Sequence, residues 1–463
     1  MELAERLISH SLMLGASYVG TMYHEVDSCV ITAENGKLKR FVTRKTFGLG
    51  VRVIADGSLG IASSTSLCLD TLKRRIEYAV KMAKMAKDEI EPTNFSDVRP
   101  VKALSKSAKS KEFESVSDKE KIATTIAANK AAMLEGVKNS TTHLAWISEQ
   151  RTFKSSEGAD ITTELTMTGL AQSCVSSFQG KMESVSESRS DCAGFEFIAN
   201  TDWCQFSREV AKTALKAVES KVPKSGIYEV VADPDLIGLI LHEAFGHASE
   251  ADLVISGESV LGGCLGEEVA SPLVTLIDDG TVKEGYLCPY DDEGVTKSRQ
   301  VVVDRGVLSG LLHSRETAYK MGVTSTGNAR VQNFSGKPIV RQTNFFMDAG
   351  DQNFEELIED IDDGLYICGR GSRGGEVDVG LGTFTFRAGP SFIIKNGEIS
   401  QMVRGVSISG MVLETLKNVD AVGKDLKIRC SIFGGCGKDG QTVRVGHGGP
   451  HVKIGKVAVG GSA

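Results

Sequence analysis

The chain repeatedly runs from a β-rich segment into a tight turn whose last residue is glycine. Ser28 to Ala33 leads into Asn35-Gly36, and Gly50 to Ile54 leads into Asp56-Gly57. Later, Val274 to Ile277 ends at Asp278-Asp279-Gly280, Val301 to Val303 at Asp304-Arg305-Gly306, and Phe384 to Ile394 at Asn396-Gly397. Two-residue turns of this composition reverse a strand with the twist that antiparallel pairing needs. The chain is therefore expected to be rich in hairpins, and 50 glycines against nine prolines fit that reading. Helical spacing interrupts it. Leu3, Leu7, Ile8, Leu12 and Leu14 form one apolar stripe, and Leu67 to Lys87, Asp118 to Leu134, Phe206 to Lys221 and Phe354 to Ile361 read as further helices. Pro92 to Lys111 reads as a loop. From Thr141 to Ser188, alternation of Ser, Thr and Val predicts an antiparallel sheet with one wet face. Pro223-Lys224-Ser225-Gly226 marks a boundary, giving domains 1–222 and 223–463.

Charge and cysteine usage exclude some classes. The net charge is −7, with no basic stripe of the kind a nucleic-acid binder carries. No apolar run approaches the roughly 18 residues a membrane span needs. Met1-Glu2-Leu3-Ala4-Glu5 is acidic where a secretory signal would be basic, so a cytoplasmic location is expected. Ten cysteines, none spaced as CxxC, are expected mostly as free thiols in a reducing compartment.

The chemistry concentrates at Leu236-Ile237-Gly238-Leu239-Ile240-Leu241-His242-Glu243-Ala244-Phe245-Gly246-His247. In His-Glu-x-x-His zinc proteases the histidines are four apart and share a helical face, with the glutamate as base. Here they are five apart. Five steps of a regular helix leave the side chains roughly 140° apart. A π-bulge restores a shared face, so the helix is expected to be bulged, or to end, between Ala244 and His247. A catalytic zinc needs a third protein ligand. Glu250, Asp252, Glu258, Cys264, Cys288, Cys430 and Cys436 are all candidates, and spacing does not choose among them. His447 and His451, separated by Gly448-Gly449-Pro450, read as loop histidines.

The chain resembles the TldD half of the TldD/PmbA (TldD/TldE) family of modulators and peptidases. The resemblance runs through His242-Glu243-Ala244-Phe245-Gly246-His247, Glu250 and Asp252, then Asp291-Asp292-Glu293-Gly294, Arg315-Glu316-Thr317-Ala318 and Thr326-Gly327-Asn328-Ala329-Arg330. It continues through Gly374-Gly375-Glu376-Val377-Asp378, Val422-Gly423-Lys424-Asp425-Leu426, Cys436-Gly437-Lys438-Asp439-Gly440-Gln441 and Val459-Gly460-Gly461, with Gly48-Leu49-Gly50-Val51-Arg52-Val53 near the start. It implies an α+β protein: an N-terminal α/β domain with an antiparallel sheet and long helices, then a C-terminal β-rich barrel- or sandwich-like domain carrying the metal-binding helix. It implies one Zn²⁺ per active subunit, held by His242, His247 and Cys436, with Glu243 as the carboxylate that deprotonates the metal-bound water. It further implies unfolded or extended peptides as substrates, and either a PmbA/TldE-like partner subunit or a homodimer. Two other readings stand beside it. One is a non-catalytic scaffold or modulator subunit, which has no need of Glu243. The other is a structural zinc domain, which would close its metal with four protein ligands.

Overall fold

The computed structural model describes residues 2–87, 91–371 and 374–461. The first half is built on one seven-stranded sheet. Its strands are β1 (Tyr18–Glu34), β2 (Lys37–Ala55), β3 (Ser58–Ser64), β4 (Lys102–Lys106), β5 (Val137–Ser155), β6 (Asp160–Phe178) and β7 (Lys181–Asp191). The order is β3-β2-β1-β5-β6-β4, with β7 also on β6. Every pairing is antiparallel except β4 on β6. β4 corrects the expectation of a plain loop from Pro92 to Lys111. Its residues are largely exposed, so no hydrophobic alternation announced it.

The predicted turns at Asn35-Gly36 and Asp56-Gly57 close β1–β2 and β2–β3, with positive φ at both central residues of each. Gln179-Gly180 does the same between β6 and β7, although glutamine gives little turn signal. β2, β5 and β6 are each 19 residues long, about 60 Å at strand rise. Strands of that length hold two separate cores. At one end, α1 (Glu2–Met13) and α2 (Leu69–Met85) cover Val19, Val51 and Val53 with Leu7, Leu72, Ile76 and Val80. At the other, α3 (Asp118–Ala131), α4 (Phe195–Ala199) and α5 (Trp203–Glu219) cover Ile31, Leu144, Trp146 and Leu170. The inner stripe of α5 is Trp203, Phe206, Val210, Ala214 and Ala217, at helical spacing.

The second half contains a nine-stranded and a six-stranded sheet. In the larger, β8 (Gly226–Ala232) lies between the final strand Val452–Gly461 and the parallel strand Asp363–Ile367. The smaller sheet includes Leu276–Asp278, Asn344–Met347, Gly446–Gly449 and Lys427–Cys430. Between these sheets runs α6 (Pro234–Ile240), whose Leu236, Ile237 and Ile240 share one apolar cluster with Phe345, Met347, Ile367, Phe386 and Ile454. The turns at Arg305-Gly306 and Asn396-Gly397 form as expected. Asp278-Asp279-Gly280 does not form a hairpin. Asp278 is instead fully buried, 2.9 Å from the Lys297 ammonium. Phe384 to Ile394 is two strands, Thr383–Arg387 and Ser391–Lys395, split at Gly389-Pro390 and placed apart in the sheet.

The halves meet along polar groups. Arg52 donates to the Asp292 carbonyl at 2.7 Å, and Arg151 pairs with the Asp292 carboxylate at 3.0 Å. Gly48 and Gly50 admit Phe334: a Cβ at Gly50 would lie 1.8 Å from the Phe334 carbonyl oxygen. Among the described residues, no helix is long and apolar enough to cross a membrane.

Candidate metal centre

The site begins with the start of α6. Asp233 caps it, accepting from the Leu236 N–H at 2.8 Å, and Pro234 occupies the first turn. Burial, reinforced by Asp235, raises the Asp233 carboxyl to about 7. The helix then widens. Leu241–Gly246 is a π-helical segment, and His247 N–H donates to the His242 carbonyl, five residues back, at 3.3 Å. This is the distortion that the five-residue spacing called for. It brings the two imidazole centroids to 5.3 Å. Gly246 contributes by lacking a side chain: a Cβ there would meet Gln342 Oε1 at 2.0 Å. Gln342 in turn donates to the His242 carbonyl at 3.0 Å.

Cys436 arrives from the other end of the second half. It opens a small hairpin, Cys436–Lys438 paired with Gln441–Val443, turned at Asp439-Gly440. Its Sγ lies 2.9 Å from His247 Nε2. The donor atoms of His242, His247 and Cys436 all fall within 4.8 Å of one another, and all three residues are buried. A single ion bonded at about 2.0–2.3 Å needs donors at such separations. His242 Nδ1 is buried with no hydrogen-bond partner, a polar atom left for a group that protein atoms do not supply. Burial alone would push the Cys436 thiol up. The flanking His242 and His247 outweigh it and hold the thiol at about 5, so it is available as thiolate. The residues fit a zinc-type ion.

Glu243 sits half-buried on the π segment beside His242. Four of the other third-ligand candidates have other partners. Glu258 accepts from Ser256 at 3.0 Å, Cys264 and Cys288 contact backbone carbonyls, and Cys430 contacts Cys192.

The model of the PmbA/TldA metallopeptidase C-terminal domain matches residues 225–461, and that of PmbA/TldA metallopeptidase domain 1 matches residues 22–83. A protein of Methanothermobacter thermautotrophicus named a metalloprotease is 40% identical, over 93% of this chain and 93% of its own.

The chain belongs to the PmbA/TldD metallopeptidase family. A zinc metalloprotease TldD homolog of Saccharolobus solfataricus is 32% identical over 56% of this chain and 57% of its own. Two solved structures share the fold. TldE from Thermococcus kodakarensis has a TM-score of 0.80 at 21% identity, covering 99% of this chain and 100% of its own. A Thermotoga maritima protein described as a modulator of a DNA gyrase has a TM-score of 0.81 at 23% identity, covering 99% of each.

Around the three donors, this member of the PmbA/TldD family has a closed polar circuit. Glu250 is fully buried, and its Oε2 lies 3.1 Å from His247 Nδ1. The same oxygen accepts from Lys438 Nζ at 2.8 Å, and Lys438 also donates to Asp252 at 2.7 Å and to the Val340 carbonyl at 3.2 Å. One hairpin therefore supplies both the thiol facing His247 and the ammonium facing its carboxylate. Burial favours a protonated Glu250, but His247 and Lys438 prevail and keep it ionised, at about 2. Asp252 contacts Lys438 rather than an imidazole. Arg341, fully buried, donates to the Cys436 and Gln441 carbonyls and fixes the hairpin's backbone. Sequence reasoning passed over Lys438, Arg341 and Gln342. Lys438 alone had a signal, its place in the Cys436–Gln441 motif.

His447 corrects the loop reading. It lies on the strand Gly446–Gly449, its ring 6.1 Å from that of His242. His451 does lie between strands, but its ring is bound by Asp425 at 2.8 Å and Tyr366 at 3.0 Å.

Proposed function

We propose that the chain is a zinc-dependent metallopeptidase of the TldD type, acting on unfolded or extended peptides. His242, His247 and Cys436 hold one Zn²⁺ per subunit, and Glu243 is the catalytic carboxylate. The observation that carries this reading is the convergence of three buried donors within 4.8 Å, with Glu243 adjacent on the same π segment. Two imidazoles and a thiolate suit zinc among the divalent ions. When bound, the ion supplies Lewis acidity toward a peptide carbonyl.

The chain's own residues do the rest. His247 donates its Nδ1–H to Glu250 Oε2, which fixes the tautomer and leaves the Nε2 lone pair for the ion. Lys438 holds Glu250 in place for that task. Glu243 takes a proton from water at a carboxylate oxygen and passes it to the leaving amine. Gly375–Asp378 is the edge strand of the nine-stranded sheet and passes beside the π segment. Among the described residues no further strand pairs with its outer edge, so an extended peptide would bind there by strand addition. The TldE likeness supports assembly with a like-folded PmbA/TldE-type partner or a second copy. The expected cytoplasmic setting and the division at 222/223 belong to the same reading.

The test is Glu243→Gln, assayed for metal content and for digestion of an unfolded peptide, alone and with a co-expressed partner. The expected result is parental zinc with activity reduced at least about 100-fold. Cleavage at the parental rate would remove Glu243 from the mechanism, and absence of cleavage by the parent in every assembly would favour a modulator subunit. Cys436→Ser is expected to lose most of the zinc.

A further inference from the structure

Away from the metal centre, two thiols lie together at the seam between the halves of the chain. Cys192 directly follows β7, and Cys430 ends the strand Lys427–Cys430. These strands approach within 8 Å, backbone to backbone. The two thiols are near enough to act on each other, and both pack in one cluster with Ile147, Leu165, Met167, Tyr286 and Cys288. The backbone is pinned two residues away on either side, where Ile432 N–H donates to Ser190 Oγ at 3.2 Å. Gly169 keeps the approach close, since a Cβ there would meet Ile432 at 2.9 Å. The Cys192 thiol also lies 3.5 Å from the Gly285 carbonyl oxygen.

We propose that Cys192 and Cys430 are a redox pair that closes to a disulfide under peroxide, stapling the first sheet to the segment that leads to Cys436. The pair is asymmetric in the way such chemistry needs. Cys192 is half-buried and Cys430 is buried, so Cys192 is the thiol that peroxide reaches, and the interaction with Cys430 lowers the Cys192 thiol. The Cys192 thiolate attacks a peroxide oxygen, the O–O bond breaks, and hydroxide leaves with Cys192 as sulfenic acid. Cys430 sulfur then attacks the sulfenic sulfur, losing its proton, and the S–O bond breaks to release water. In sum, two thiols and one hydrogen peroxide give one disulfide and two waters. The bond would cross-link strands remote in sequence and fix the chain six residues ahead of Cys436. It requires neither the metal nor Glu243.

The experiment treats full-length, metal-loaded protein with hydrogen peroxide, alkylates the remaining thiols, and maps the unreduced digest by mass spectrometry. The expected product joins the Cys192 and Cys430 peptides, is the main linked species, and disappears on reduction with dithiothreitol. The oxidised parent melts roughly 3 °C above the reduced one. Cys192→Ala melts at one temperature with and without peroxide. Recovery of both cysteines alkylated, Cys192 trapped as sulfinic acid, or linkage to another cysteine would overturn the proposal. The peptide map reads the parent alone, so it decides the matter even where the variant folds poorly.

Discussion

The two halves of this protein lean differently on local and remote strand pairing. In the first, neighbouring strands are mostly neighbours in sequence: Glu34 faces Lys37 across Asn35-Gly36, and Phe178 faces Lys181 across Gln179-Gly180. In the second, β8 pairs with residues 452–459, and Asn344–Phe346 lie parallel to Gly446–Gly448. Local hairpins zip from their turns, whereas remote pairings must first bear the entropy of closing long loops. The proposed metal donors sit in the second kind of architecture. His242 and His247 come from one segment, and Cys436 meets them from a hairpin 189 residues beyond His247. Zinc binding should therefore be coupled to order in the second half and nearly silent in the first.

Chelation is the strongest way to break that contrast. Removing metal should raise amide exchange across Leu241–Glu250 and Cys436–Val443 by at least about tenfold, with β1, β2 and β5 unchanged. A uniform rise over both halves would show one cooperative unit instead. Next is Lys438→Met, which leaves Glu250 buried with one cation fewer. Breaking such a pair costs about 3 kcal/mol, to be read as a lower urea midpoint together with faster zinc release. Lys438→Arg should recover part of both, and a loss of stability without faster zinc release would separate the circuit from the ligand.

Asp233 sharpens the contrast through pH. Its folded-state carboxyl is raised to about 7 by burial and by Asp235. A raised acid contributes its stability fully below the unfolded pKa near 4 and loses it as pH climbs through 7. Asp233→Asn can still cap α6, so its advantage over the parent should grow from near zero at pH 4 to on the order of 4 kcal/mol at pH 8. Denaturant melts at those pH values check this, and a constant gap would refute it. The smallest effect belongs to the first half. Gly36→Ala, at φ 81°, should cost about 1 kcal/mol and leave zinc content untouched.

Much of this architecture was legible because it rests on local physics. The Asx-Gly turns need only two residues able to take positive φ. The π-helical distortion followed from a five-residue histidine spacing that a regular helix cannot reconcile with a shared site. What stayed hidden was either exposed or remote. β4 has no buried face to impose alternation. Asp278-Asp279-Gly280 has turn chemistry, but Lys297 and Asn328 claim the Asp278 carboxylate and the chain runs on. His447 lies in a glycine-rich stretch that only sheet pairing made a strand.

The sequence by itself determined the first two reversals of the first sheet, the cap and distortion of the histidine helix, and the membership that its ordered motifs declare. Each depends on residues a few positions apart, where backbone sterics and helical geometry act directly. The resemblance named Cys436, but that Glu250 and Lys438 brace the imidazole it faces was decided by tertiary structure alone. Those contacts join segments about 190 residues apart, and only the burial of a shared core between two sheets determines where such segments meet.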